Sequence, residues 1–309
     1  MVEIRGDWPF FKHLARFPQH NELQGCCWRC SVTPSGIRDC TSQAPWRQAD
    51  NRLDHCALLQ RIRAQGHTIS PLFGAPYVRS SIFQVDWLHC VDKGVGADFL
   101  GNLFTYLLKF MQGNTNKAKT GQFFLEIQSW YRNRQPAVES QLDNLTCGML
   151  NLGCKAPPKL KAKAAEARGL VPFATFACNK WLSDNNPLEQ TMKQAAIHLQ
   201  ACYDCLSRNT FNHQVLQENS RKFCLLLVAL ETASPNKRLW RVMPKIHLFQ
   251  EMCEMQVGCP STCWTYRDED FGGTLMQVGR RRGGSNHPSA TAKNLLIKFM
   301  AGNRFPSLQ

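Results

Sequence analysis

Cys27-Trp28-Arg29-Cys30 is the spacing in this chain best suited to chemistry. Two thiols separated by two residues can present both sulfurs to one tetrahedral ion, and thiolate ligands suit Zn2+. Such a pair is half a site. Cys40, His55 and Cys56 are the nearest candidates for the other half, their irregular spacing leaves the choice open, and His67 and His89 stay in the set. Two buried thiols without a metal are the alternative reading of the same pair. Three acidic motifs stand apart from it: Gly6-Asp7-Trp8-Pro9, Asp86-Trp87-Leu88-His89, and Trp264-Thr-Tyr-Arg-Asp-Glu269-Asp-Phe-Gly-Gly273. Carboxylates are the ligands that hard divalent cations prefer. An Asp before Pro or at a helix start also caps the first amides of that helix, which accounts for Asp7 and Asp86 without any metal. His89 can ligate an ion, orient a neighbour, or simply begin a helix. Asp268 and Asp270 are as able as Glu269 to supply a carboxylate.

The elements that must position these residues follow from pattern. Val2 to Ile4 is β-compatible, and the motif at Asp7 reads as a strand end turning into a helix that begins at Pro9 and carries Phe10, Phe11 and Leu14. Residues 24–80 are rich in Pro, Gly, Cys and His and read as loop, a small metal-pinned insert. Ile82 to Val85 is a second short strand leading to Asp86. From Ala97 to Met111 apolar residues recur at helical spacing, with Gly113 as the stop. Gln122 to Tyr131 is helical, and Lys155 to Lys163 is a basic connector interrupted by proline. The spacing then predicts helices over Leu188 to Leu206, Val215 to Glu231, Leu239 to Met255 and Ala290 to Met300. Arg280, Arg281 and Arg282 lie in a flexible basic loop that can grip phosphates, although isolated basic runs are often only solvated faces.

Composition limits the function classes. Thirty-seven Lys and Arg against twenty-three Asp and Glu give a formal charge of +14 over 309 residues. A polyanion, DNA before membrane, is the expected partner. The first residues lack the apolar core of a secretory signal, and the longest strongly apolar run, Phe223 to Leu230, is too short to cross a bilayer. The expectation is an intracellular protein, nuclear if it binds DNA and otherwise cytoplasmic. The fifteen cysteines are expected to be buried thiols and a metal site rather than disulfides.

The four motifs, in their order, resemble the DDE transposases of eukaryotic cut-and-paste elements, those similar to the CACTA and Kyakuja-Dileera-Zisupton groups. The resemblance implies an RNase H-like nuclease core in which three acids hold two divalent ions, Mg2+ or Mn2+, for strand cleavage and transfer. Asp7 matches the second acid and Glu269 the third. Asp86 and His89 match a D-x-x-H signature beside the site, and Pro244-Lys-Ile-His247 matches a stretch upstream of the last acid. The first acid belongs on a strand before Asp7, and this chain starts six residues before it. The expectation is therefore an N-terminally truncated fragment or derivative with little phosphodiester chemistry of its own.

The fold class expected is α+β, predominantly helical: a partial RNase H-like core with a zinc-knuckle-like insert over 1–96, a large helical insertion over 97–256, and a return to the core with a basic end over 257–309. A non-enzymatic zinc-stabilised module that binds nucleic acid or protein is the alternative, and an unselected remnant that folds poorly is a third. Oligomeric state is not legible.

Overall fold

A computed structural model of the chain describes residues 3–17, 27–207, 209–255, 258–262 and 264–266, together with positions 270, 273, 277 and 297. Two compact units divide it, Met1–Trp264 and Thr265–Gln309. The elements below belong to the first. Glu269 and Arg280 to Arg282 lie outside the described residues, as does nearly all of the helix expected over Ala290 to Met300.

The described chain is predominantly helical, with two short strands. Strand β1 (Ile4–Gly6) pairs in parallel with β2 (Phe83–Val85), Gly6 opposite Val85, so that Asp7 and Asp86 follow the last paired residue of neighbouring strands. Each then starts a helical segment. Asp7 accepts the Phe10 amide at 2.7 Å and caps α1 (Trp8–Ala15), whose Trp8, Phe11 and Ala15 form the buried face. That face meets Phe17, Trp28 and Phe83 edge-on or stacked, with ring centroids 4.8–6.2 Å apart, geometries that suit the aromatic quadrupole.

Residues 27–80 are built mainly of short 3-10 turns, with one full helix that their loop-like composition hides. Asp54 caps α2 (His55–Ala64) through the Ala57 amide, and Leu58 and Ile62, four residues apart, bury one side of it. After β2 the chain winds through a π-helical segment, Leu88–Val95, and enters α3 (Gly96–Leu107), nearly all of which is buried. Helices α4 (Asn116–Asn133), α5 (Ala164–Gly169), α6 (Val171–Trp181), α7 (Pro187–Asp204), α8 (His213–Ala233) and α9 (Lys245–Met255) follow. Helix α6 packs on α7, α7 along α8, and α8 on α9, which in turn meets β2 and the π-helical segment. Helix α9 starts six residues later than its periodicity predicts. Trp240 takes a left-handed φ of 63° to bury its ring against Phe99, and the helix proper begins only after Pro244, whose carbonyl accepts the His247 amide. Buried side chains from Trp8 to Cys259 form one continuous cluster.

The basic connector is a wall of the fold. The Leu160 amide donates to Ala97 O at 2.9 Å, and the Asn102 amide group donates to Pro158 O at 3.2 Å and accepts from the Trp240 amide at 2.8 Å. This contact requires Gly101, because a Cβ there would lie 2.3 Å from the Lys159 Cα. Among the described residues, no helix is long and apolar enough to cross a membrane.

Two glycines therefore predict opposite outcomes. Gly101→Ala forces backbone apart and should destabilise the fold by about 1–3 kcal/mol. Gly121→Ala, in open space on α4, should stabilise it by about 1 kcal/mol through helix propensity. Urea denaturation midpoints of the two variants against wild type check both signs.

Candidate metal centre

Cys27 and Cys30 are held in place by a knuckle clamped to the segment after it. Cys30 bridges Arg52, the Ser31 amide donates to Asn51 O and the Leu53 amide to Arg29 O, both at 2.9 Å. The Arg61 guanidinium donates to Cys30 O at 2.7 Å and to Cys27 O at 3.3 Å, and the Arg29 amide points at Cys27 Sγ at 3.3 Å. Both thiols are fully buried. Opposite them lies α9, where His247 and Glu251, four residues apart and so on one face of the helix, are also buried.

These four residues, Cys27, Cys30, His247 and Glu251, form a group whose ligand atoms all lie within 4.8 Å of one another and which could hold a metal ion. The edges of the group are informative. Cys27 Sγ is 3.6 Å from Cys30 Sγ, 3.4 Å from His247 Nε2 and 3.6 Å from Glu251 Oε2. Cys30 Sγ is 3.5 Å from His247 Nε2, which is 3.6 Å from Glu251 Oε1. A tetrahedral ion with bonds of about 2.3 Å to sulfur and about 2.0 Å to nitrogen or oxygen needs ligand–ligand edges of about 3.3–3.8 Å. These five distances fall in that range, the two to Glu251 ending on different carboxylate oxygens, Oε2 for Cys27 and Oε1 for His247.

Charge balance fits as well. Two thiolates and a carboxylate around a divalent cation leave one negative charge. Arg52 supplies the compensating positive charge, its Nη1 standing 2.6 Å from Glu251 Oε1. Burial and the neighbouring Cys27 thiolate push the Glu251 carboxyl above the usual carboxylate range, against the pull of His247 and Arg52. Burial opposes the charged form of His247, but Cys27 and Glu251 outweigh it and raise the imidazole. Without a metal the surroundings thus favour the protonated forms of Glu251 and His247, and a divalent cation would compete with those protons. Around it Arg47 stacks on Trp46 and pairs with Glu254, while the Trp46 ring meets His247 edge-on.

None of the three ligands nearest in sequence joins the group. Cys40 is buried, with its thiol on Arg38 O at 3.5 Å. The His55 Nδ1 accepts the Ser80 amide at 3.2 Å and its ring packs on Phe73. Cys56 is exposed. Glu251 carried no motif of its own, although His247-x-x-x-Glu251 has the i, i+4 spacing that puts two ligands on one helical face.

A cavity of about 560 Å3 lies against this centre and is lined by Asp7, Asp86 and His89, with Trp28 from the knuckle and Lys245 and Leu248 from α9. Asp86 is buried. It accepts the Leu88 amide at 3.2 Å, the His89 amide at 3.0 Å and the His89 ring at Nδ1. It thus caps the segment and orients the imidazole at once. Lys245 donates to His89 O at 2.7 Å, and burial together with Lys159 lowers its pKa. Its stem passes so close to Gly94 that a Cβ there would lie 2.7 Å from Lys245 Cδ. Cys90 also lines the cavity, but burial pushes its thiol up to about 12, which keeps it protonated and unreactive. Compared with known proteins, the chain matches no family model and no curated protein.

The metal-free cluster binds protons more tightly than the unfolded chain does. Its contribution is greatest below the ordinary carboxylate and imidazole ranges and is lost as pH rises through the raised values of Glu251 and His247. Metal binding needs deprotonated ligands and strengthens over the same rise. The stabilisation by one equivalent of Zn2+, read as the difference in Tm with and without chelator, should therefore be larger at pH 8 than at pH 5.5. His247→Ala and Cys27→Ser should each abolish that difference.

Proposed function

We propose that the chain is a transposase-derived, DNA-binding protein whose fold is fastened by a structural zinc ion on Cys27, Cys30, His247 and Glu251. Two sulfurs, one nitrogen and a carboxylate within 4.8 Å of one another in a closed, buried group suit zinc better than a hard cation. The observation that carries the rest is the parallel pairing of β1 with β2. It puts Asp7 and Asp86 side by side at strand ends, with the Cys-x-x-Cys insert between them in sequence, as the resemblance to DDE transposases implies for part of an RNase H-like core.

On this reading Asp7 and Glu269 correspond to two of the acids that hold Mg2+ or Mn2+ in intact relatives, where the ions activate the attacking oxygen and stabilise the leaving one. The net charge of +14 and the basic run Arg280 to Arg282 favour a DNA partner and a nuclear location. A second reading, a non-enzymatic zinc-stabilised module for nucleic acid or protein, draws on one observation. Asp7 is engaged as a helix cap, and Asp86 is spent on backbone amides and His89.

Mobility-shift titrations of the zinc-loaded chain across a salt series test the proposal. Binding to duplex DNA should weaken steeply with salt, and replacing Arg280, Arg281 and Arg282 with Ala should make the log–log slope shallower by about 2–3. Absence of DNA binding at low salt would sink the reading. Calorimetry with Mn2+ then separates the two classes: Asp7→Asn should weaken Mn2+ binding tenfold or more in a nuclease-derived site and leave it unchanged in a binding module.

A further inference from the structure

The cavity beside the metal centre has a size typical of small-ligand sites, and its lining is chemically mixed. Apolar residues supply much of it, Pro157 and Met243 among them, with the edges of the buried Trp8, Trp28 and Leu248. Trp28 is 1% exposed, and its indole N–H has no hydrogen-bond partner among the described residues. A buried donor of that kind favours a ligand carrying an acceptor. Two cations, Arg241 and Lys245, share that lining. Arg241 is exposed and makes no hydrogen bond or ion pair to another described residue, while Lys245 gives one bond to His89 O and has further N–H groups to offer.

The remaining charges of the lining are committed within the protein. Lys159 pairs with Asp98 at 2.9 Å, Asp86 with His89, and Asp7 with the Phe10 amide. Two available cations match a group that carries up to two negative charges at neutral pH, as a phosphate monoester does, and a guanidinium fits phosphate oxygens bidentately. A longer polyphosphate is disfavoured, because Asp7, Asp86 and Asp98 line the same space. The apolar lining together with the unpartnered Trp28 N–H suits a body that is apolar yet bears acceptors, as a nucleobase is.

We propose that this cavity binds a nucleoside monophosphate, its base in the apolar part of the lining near the Trp28 N–H and its phosphate held by Arg241 and Lys245. Two sources share this chemistry: a free nucleotide, or one nucleotide of a single strand turned into the cavity. The second rests on the DNA-binding reading above and the first does not.

Titration of deoxyadenosine monophosphate into the zinc-loaded full chain, followed by tryptophan fluorescence and calorimetry, tests the site. Deoxyadenosine and inorganic phosphate should each bind at least tenfold more weakly than the nucleotide. Arg241→Ala, a change at an exposed side chain, should weaken nucleotide binding tenfold or more and leave deoxyadenosine binding unchanged. Lys245→Met should act in the same direction, with its melting curve as the control for folding. No binding, equal binding of phosphate alone, or an Arg241→Ala variant that binds like wild type would each overturn the proposal. Displacement of the bound nucleotide by a short single-stranded oligonucleotide supports the strand as source, and its failure supports the free nucleotide. A chain that shifts duplex DNA but ignores the nucleotide loses this site and keeps the DNA-binding reading. The reverse result keeps the site alone.

Discussion

The buried group of Cys27, Cys30, His247 and Glu251 is the constraint on which the rest of the first unit depends. It joins side chains 220 residues apart in sequence, and none of its members is tolerable alone. A carboxylate with no exposed surface, beside two buried thiols, must be neutralised by a proton, an arginine or a cation. Arg52 provides part of that neutralisation, and it does so because the knuckle is bridged to the strand-like stretch that carries it. A metal ion and Arg52 together would neutralise the group completely, while Arg29, Arg47 and Arg61 bond to its frame, at Phe83 O, Gln250 and Cys30 O.

From this fastening the position of the cavity follows. Helix α9 presents His247 and Glu251 to the cysteines, and Lys245 and Leu248 to the open space. Trp28, enclosed between the two cysteines in sequence, lines that same space. The metal centre and the cavity are therefore two sides of one wall. Another part of the lining is set by different means, a close approach of α3 to the 157–160 segment that only glycine at 101 permits.

What was legible in the sequence follows the range of the interactions. Helices α3, α7 and α8 announce themselves through apolar residues three and four apart, because each buries one face against neighbours. Cys27 and Cys30 are legible because a two-residue spacing is a local property. His247 stood out only as part of the Pro244-Lys-Ile-His247 stretch and Glu251 not at all, since nothing local says that a helix two hundred residues on will face the knuckle. The start of α9 was hidden for a related reason: Trp240 leaves the helical region of backbone space to bury its ring on Phe99, a tertiary demand overriding local periodicity. Helix α2 was obscured by cysteines and histidines that suggested ligands, when His55 instead accepts a backbone amide and Cys56 faces solvent.

The separation of the ligands also has a consequence in time. During synthesis Cys27 emerges 224 residues before Glu251. At about 5–20 residues per second this is an interval of roughly 10–45 seconds. Throughout it the knuckle's sulfurs have neither their imidazole nor their carboxylate. The nascent chain must hold an incomplete, thiol-bearing half-site in solution while helices α2 to α8 are being made, so the order of translation makes closure of this centre a late step of folding.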